Sequence, residues 1–439
     1  MTIMSDLVIG ALALFGMVGL IYAGMHVAIA LAVCSFLGVL AIKGSFLITG
    51  RMLALAATES IDSYIFGVVP LFVLMGFVVS QADIGRDAFD VANRMLGRIK
   101  GGLGIATVGA NAIFAAITGI SIASAAVFTR VAVPEMLRHG YTKRFAYGIV
   151  AGSSVLGMLI PPSLLLILYG ILTEQSVGDL FLAGVVPGIV LAIAFGLGVY
   201  WLARNRPDFA GSSISEDVVP LSAAAMGRKA LPIVLLIGLV LGGIYGGFFT
   251  PTEAGAVGAL GAIVIGLFRR ALPPGRIWRV LTDTGQVTAA ICFLIIAASM
   301  YSRMLSLSGL PEFLSAALAA SDIGYWGIII AYVLLIVAMG TILDSSSILL
   351  IVVPLFYPIM KAFGIDPIWF GIVTVIAVEV GLLTPPFGLS VYVIKGTSPD
   401  RTLKLGEIFH GALPFAAIML AVLALILVFP WLATGLLGR

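Results

Sequence analysis

Charge is scarce in this chain. Its 439 residues hold 24 Lys and Arg and 21 Asp and Glu, a charged fraction of 10%, too little to solvate the surface of a soluble domain. Cysteine is nearly absent as well: Cys34 and Cys292 lie inside apolar runs, which excludes a disulfide framework and a thiolate metal set. The three histidines, His26, His139 and His410, are scattered, so no zinc or haem spacing exists. A net charge of +3 spread over connections offers no basic surface for nucleic acid. Serine clusters occur without a base, no Ser/His dyad is visible, and no aspartate pair stands at helical spacing. These absences argue against an enzyme, intramembrane ones included.

What fills the chain instead is hydrocarbon. Hydrophobic residues make up 61% and mean hydropathy is +1.18. The apolar stretches resolve into about ten to twelve segments of spanning length. The sequence therefore predicts an all-α polytopic membrane protein. The first run, from Leu7, has neither a basic leader nor a small-residue cleavage site and reads as a retained helix.

The chain also contains a weak copy of itself. Adding 224 takes Gly85 to Gly309, Ser121 to Ser345, Pro134 to Pro358, Met136 to Met360, Gly140 to Gly364, Gly157 to Gly381 and Pro161-Pro162 to Pro385-Pro386, without a gap. The matches fall on glycines and prolines, where a repeated backbone shape needs them. Basic residues give the orientation of each copy. Arg86, Arg94, Arg98 and Lys100 place 83–101 in the cytoplasm, whereas the partner segment 307–325 has only Glu312 and Asp322. Arg138, Lys143 and Arg144 are answered by Asp366 alone. Near 173–179 the order reverses, with Glu174 and Asp179 facing Lys395, Arg401 and Lys404 in the second copy. The bias alternates as inverted repeats require, with Lys361 the one charge on the wrong side.

Each copy follows one plan. The first repeat takes residues 1–203, a polar connector 204–229, and the second repeat 230–439. Two spans open each half (about 7–23 and 25–42, then 230–248 and 254–268), a third follows at 65–82 or 286–305, and a final span closes each at about 180–203 and 408–433. Between them lie apolar stretches at about 102–137 and 326–361 that begin and end on one side, with polar centres at Thr118 to Ser121 and Gly340 to Ser347. Either re-entrant hairpins or two complete short spans satisfy the charge pattern; arms of about 15 to 17 residues favour hairpins. A broken helix follows each, at about 145–172 and 368–394.

The breaks carry the chemistry. Gly152 to Ser163, with Pro161-Pro162, interrupts one helix, and Gly381 to Gly388, with Pro385-Pro386, interrupts the other. A double proline removes two amide donors and strands carbonyls at mid-membrane depth. These are intolerable in lipid unless they line a site. Unwound carbonyls with Ser and Thr hydroxyls suit a hard monovalent cation, so two breaks predict two sodium sites, one per half. The plainer reading is a pair of kinks in packed helices. Asp344 either supports a cation site or caps the second arm of its hairpin. Glu379 either faces the same site or pairs elsewhere. Arg303 lies near the outer end of its span and reads as reaching head groups, with carboxylate binding as the alternative. Arg130 snorkels toward the cytoplasm, and the serine clusters could equally pack helices.

Gly140-Tyr141-Thr142, Gly152-Ser153-Ser154 through Ile160-Pro161-Pro162-Ser163, Phe249-Thr250-Pro251-Thr252-Glu253-Ala254, Leu343-Asp344, Phe370-Gly371-Ile372 and Gly381-Leu382-Leu383-Thr384-Pro385-Pro386-Phe387-Gly388 together resemble the large membrane subunit of tripartite ATP-independent periplasmic (TRAP) transporters. Any one motif is weak; the ordered set covers essentially the whole chain. It departs from the family at His26, where proline is common, which concerns only the turn after the first span.

The resemblance implies an elevator-type, sodium-coupled importer of organic acids in the bacterial inner membrane. It would work with a periplasmic substrate-binding protein and a separate small membrane subunit, with Na+ as coupling ion and no organic cofactor. It implies a first sodium site of Ser121, Ser153, Ser154, Gly157 and Pro161, and a second of Gly340, Thr341, Asp344, Gly381 and Thr384. Ser153, Ser154, Ser345, Ser346 and Ser347 would meet the substrate carboxylate, with Pro161, Pro162, Pro385 and Pro386 as structural breaks. A binding-protein-independent sodium/dicarboxylate carrier of the same fold and an ion channel are the rival readings. Which acid is carried is not written in the sequence.

Overall fold

In lipid every backbone amide needs an internal partner, and this chain meets that demand with helices. The computed structural model describes residues 2–62, 64–97, 99–211, 222–321, 323–386 and 388–438; among them the only strand-like pairing is an isolated bridge between Tyr141 and Gly211. Arg98, Asp322, Phe387 and the 212–221 part of the connector lie outside the described residues.

The first half runs α1 (Thr2–Tyr22), α2 (Val27–Lys43), α3 (Phe46–Asp62), α4 (Val68–Gln81), α5 (Ile84–Leu96), α6 (Gly102–Thr118), α7 (Ser121–Arg138), α8 (Lys143–Ser154), α9 (Leu156–Leu159), α10 (Leu164–Thr173) and α11 (Val177–Asn205), with a short α12 (Pro207–Ala210) after it. The second runs α13 (Ala223–Tyr245), α14 (Pro251–Phe268), α15 (Pro274–Ser308), α16 (Leu310–Ala319), α17 (Gly324–Gly340), α18 (Ser345–Ala362), α19 (Pro367–Leu382), α20 (Leu389–Thr397), α21 (Leu405–Val428) and α22 (Trp431–Thr434). Among the described residues eight helical segments are long and apolar enough to cross a membrane, α8 to α10 counting as one. The others are shorter or, like α7, less apolar, which is why the count falls below the ten to twelve apolar stretches. The paired helices α6 and α7, like α17 and α18, have 17 and 18 residues. At 1.5 Å per residue each reaches about 26 Å, near the lower limit for a ~30 Å hydrocarbon core, and of the four only α18 is counted among the eight.

The two copies share local chemistry. Thr142 caps α8 by accepting from Phe145 N, and Asp366 caps α19 by accepting from Trp369 N, at equivalent positions. Gly140 and Gly364 close α7 and α18 with φ of +78° and +70°. Tyr141 N to Met136 O (3.0 Å) is repeated as Ile365 N to Met360 O (3.1 Å). At His26 the backbone holds φ −61° and ψ 134°, the angle a proline ring would impose, so the turn survives the departure.

Cross-copy contacts give the relative direction. The Tyr147 and Ser398 hydroxyls lie 2.6 Å apart and Lys143 pairs with Asp400 at 2.5 Å, joining the start of α8 to the end of α20. Tyr169 donates to Pro367 O at 2.6 Å, joining α10 to the start of α19. The two interrupted helices therefore run in opposite directions. Each lays its second piece on the other copy's hairpin: α10 on α18, and α20 on α7. α8 packs along α21, while α4 with α14 and α2 with α15 form a separate set of close pairs.

Among the described residues three longer helices escaped the hydropathy pattern. α3 and α16, the latter in the 307–325 segment read only as an outer connection, were not foreseen, and α5 lies in the segment read only as cytoplasmic loop. Its buried face, Ile84, Ala88, Phe89 and Ala92, recurs at helical spacing, while Asp87 takes Arg269 at 2.5 Å and Lys229 at 3.3 Å.

The junction of α8 and α20 lies at the aqueous edge. The hydrogen bond from Lys143, then those from Thr402, hold the Asp400 carboxyl well below the ordinary carboxylate range. A depressed carboxyl contributes stability that is present above its unfolded value and lost as pH falls through its folded one. Acidification past the normal aspartate range is expected to lower hydrogen-exchange protection across 398–404. Asp400→Asn should show the lowered protection already at neutral pH, with no further acid response.

Candidate functional site

At the first break the helix runs through Ser154, takes the single turn α9, and unwinds only at Ile160 to Ser163. The expected interruption from Gly152 is thus too long. The Ser153 hydroxyl donates to Ile149 O (2.6 Å) and that of Ser154 to Ala151 O (2.9 Å), both inside the same helix, and no proline intervenes before Pro161. Both Pro161-Pro162 and Pro385-Pro386 are cis peptide bonds. Ser163 bridges the gap, donating to Met158 O and accepting from Leu166 N at 3.3 Å to cap α10.

The tip of the first hairpin docks on this break. Gly119 O accepts from Leu164 N at 3.2 Å, and a Cβ on Gly119 would lie 2.3 Å from Pro162 O. Gly157 packs against the peptide between Ile120 and Ser121, its would-be Cβ 3.1 Å from Ser121 N. Ser121, Gly157 and the double proline are therefore gathered at one place. Ser153 and Ser154 stand about a turn away on α8. They join the hairpin through a residue the sequence reading missed: Asn111 Nδ2 donates to Ser153 Oγ at 2.7 Å, fully buried. The available signal was a lone amide inside an apolar arm.

The second hairpin repeats the docking. A Cβ on Gly340 would come 2.6 Å from the Gly381 Cα, and one on Gly381 equally close to the Gly340 Cα. Thr341 donates to Ala338 O and Thr384 to Val380 O, each at 2.8 Å. Asp344 caps α18, accepting from Ser347 N at 3.2 Å and from the Ser347 hydroxyl. Ser345 donates to Glu379 Oε1 at 3.0 Å, which ties α18 to α19. Pro161 and Pro162 are buried, whereas Pro385 and Pro386 are exposed. Among the described residues no hydrogen bond joins Ser153 or Ser154 to Ser345, Ser346 or Ser347; the copies meet here through packing of α9 on α19.

These bonds determine what the hydroxyls can offer. A serine has one proton, and Ser153, Ser154, Ser345 and Ser347 each donate theirs to a protein oxygen. Their oxygens are left as acceptors, that of Ser153 already taking Asn111 Nδ2, which suits a cation. Of the five serines, Ser346 alone keeps a free proton among the described residues, and Ser121 is equally uncommitted. Arg303 pairs with Glu59, and both line a cavity of about 570 Å³ that Ser299, Ser302 and Glu174 also line.

Comparison with known proteins fits this geometry. The family model for the tripartite ATP-independent periplasmic transporter, DctM component, matches residues 14–432. The chain belongs to this family. It is 36% identical over 389 residues to the C4-dicarboxylate TRAP transporter large permease protein DctM of Pseudomonas aeruginosa, covering 88% of this chain and 89% of that one. It is 31% identical over 412 residues to the isethionate TRAP transporter permease protein DctMQ of Oleidesulfovibrio alaskensis, covering 93% of this chain and 64% of that one. In fold, the chain is similar to the YdaH transporter of Alcanivorax borkumensis, with TM-score 0.63, 15% identity, and 88% and 90% of the two chains covered. As a TRAP large permease it is a multi-pass membrane protein.

Proposed function

We propose that this permease imports an organic acid by coupling it to sodium. The observation that carries the reading is the docking of two hairpin tips on two unwound breaks, with the surrounding hydroxyl protons committed to protein oxygens so that the hydroxyls are left as acceptors. The first ion is held by Ser121, Ser153, Ser154, Gly157 and Pro161, the second by Gly340, Thr341, Asp344, Gly381 and Thr384. The cargo carboxylate binds among Ser153, Ser154, Ser345, Ser346 and Ser347, with Ser346 donating to it and the others meeting it through the ions. Each ligand orders the same tips, so each strengthens the other's binding.

The hairpins and interrupted helices form the moving unit, and the paired helices around α2, α4, α14 and α15 the fixed one, an elevator. The relatives' names, which carry C4-dicarboxylate and isethionate, support a small organic anion as cargo. Family membership supports a periplasmic binding protein and a small membrane subunit as partners in the bacterial inner membrane; the unmatched third of the isethionate permease fits a fused small subunit. Uptake into proteoliposomes holding both partners, at clamped membrane potential, should rise with external sodium. Uptake indifferent to sodium removes the coupling, and steady conductance from this chain alone would favour a channel.

A further inference from the structure

Glu379 has no role in the site as drawn so far, and it is the most conspicuous polar group in the bundle. It sits on α19, 1% exposed. Oε1 accepts from Ser345, while Oε2 is buried without a hydrogen-bond partner. No Lys, Arg or His pairs with it among the described residues. Its position is specific: Ser345 is the first residue of α18 at the second hairpin tip, and Gly381, two residues beyond Glu379, touches Gly340. The carboxylate therefore lies between tip and break.

We propose that Glu379 is a further charged ligand of the second cation site beside Asp344, Oε2 and the Ser345 oxygen holding a monovalent cation between α18 and α19. This rests on the sodium-coupled reading above and adds to it. A cation at the first residue of α18 opposes the positive end of that helix's dipole, and the Asp344 carboxylate, shared with the cap, compensates this only in part. The Glu379 carboxylate offsets it. An unpaired carboxylate this deep in a membrane protein is in turn expensive, and the ion removes that cost. Asp344, the other acid nearby, is partly exposed and engaged as the α18 cap. Because Ser345 gives its proton to Oε1, its hydroxyl keeps lone pairs for an ion, and Oε2 on the same carboxylate is bonded to no donor.

The test is sodium binding without transport. The full chain with its small subunit is titrated with sodium chloride against choline chloride at constant ionic strength, following thermal stability. Glu379→Gln is expected to weaken sodium at least tenfold, Ser345→Ala several-fold, and Glu379→Asp to fall between wild type and the glutamine variant. Wild-type sodium affinity in Glu379→Gln overturns the proposal; if that variant does not fold, wild-type affinity in Ser345→Ala does. A wild type stabilised by acid but not by sodium assigns the site to a proton and also overturns it. The failures are distinguishable: sodium-driven uptake with unaltered binding in Glu379→Gln defeats this site alone. Sodium binding with sodium-indifferent uptake defeats the coupling alone.

Discussion

Replacing Gly340 with alanine is expected to reduce uptake about tenfold or more while the protein still assembles. The new methyl would stand 2.6 Å from the Gly381 Cα and 3.1 Å from Val378 O, both backbone atoms with no rotamer to yield. Overpacking of this kind costs about 1–3 kcal/mol, and each 1.4 kcal/mol is a factor of ten in the population of the docked state. The hairpin tip would leave the break, and the ion and cargo ligands on the two sides would separate. Gly381→Ala should match it, since its methyl would meet Val337 O at 2.8 Å. Gly238→Ala is the control, a helix-interior glycine of α13 with nothing within 4 Å of the added carbon. Initial uptake rates, with size-exclusion profiles to verify assembly, decide it. Native rates in Gly340→Ala would mean that tip docking is dispensable.

Asp344→Ala is expected to abolish sodium-driven uptake and to destabilise the chain by about 1 kcal/mol, the typical loss on removing an N-cap. The side chain does two things in one place. Its carboxylate accepts from Ser347 N and from the Ser347 hydroxyl, closing the first turn of α18, and it contributes an oxygen to the proposed ion site. Asp344→Asn separates them, because an amide still caps a helix but brings no charge. Sodium dependence measured in both variants, beside their thermal midpoints, is the readout. The asparagine form should recover most of the stability and little of the uptake. If it transports like wild type, the charge of Asp344 is irrelevant and only the cap matters.

Backbone-determined features were the legible ones. The 224-residue repeat could be found from glycines and prolines because those residues report φ directly, and Gly140 with Gly364 and Thr142 with Asp366 occupy equivalent caps in the folded chain. Alternation of basic residues anticipated the opposed directions of the interrupted helices. The start of the first break was misplaced because a serine pair reads as irregular backbone when its hydroxyls can bond either along a helix or away from it. Here Ser153 and Ser154 bond back along α8. Side-chain pairs between distant segments were beyond any local pattern. Asn111 with Ser153, Glu379 with Ser345, and Arg303 with Glu59 across 244 residues become neighbours only once the helices are assembled. α3 and α5 were missed because an amphipathic helix beside a membrane carries too little apolar length to stand out in hydropathy.

The swapped packing of α10 on α18 and α20 on α7 bears on how the molecule is made. As translation proceeds, α7 and α8 enter the bilayer without the surfaces that will cover them, and Tyr147 meets Ser398 only after 251 further residues have been synthesised. Each copy's interrupted helix is covered only once the other copy is present, so the gathering of tips and breaks waits on residues far downstream. Packing of the tips and breaks is thus a long-range event that follows insertion of both copies.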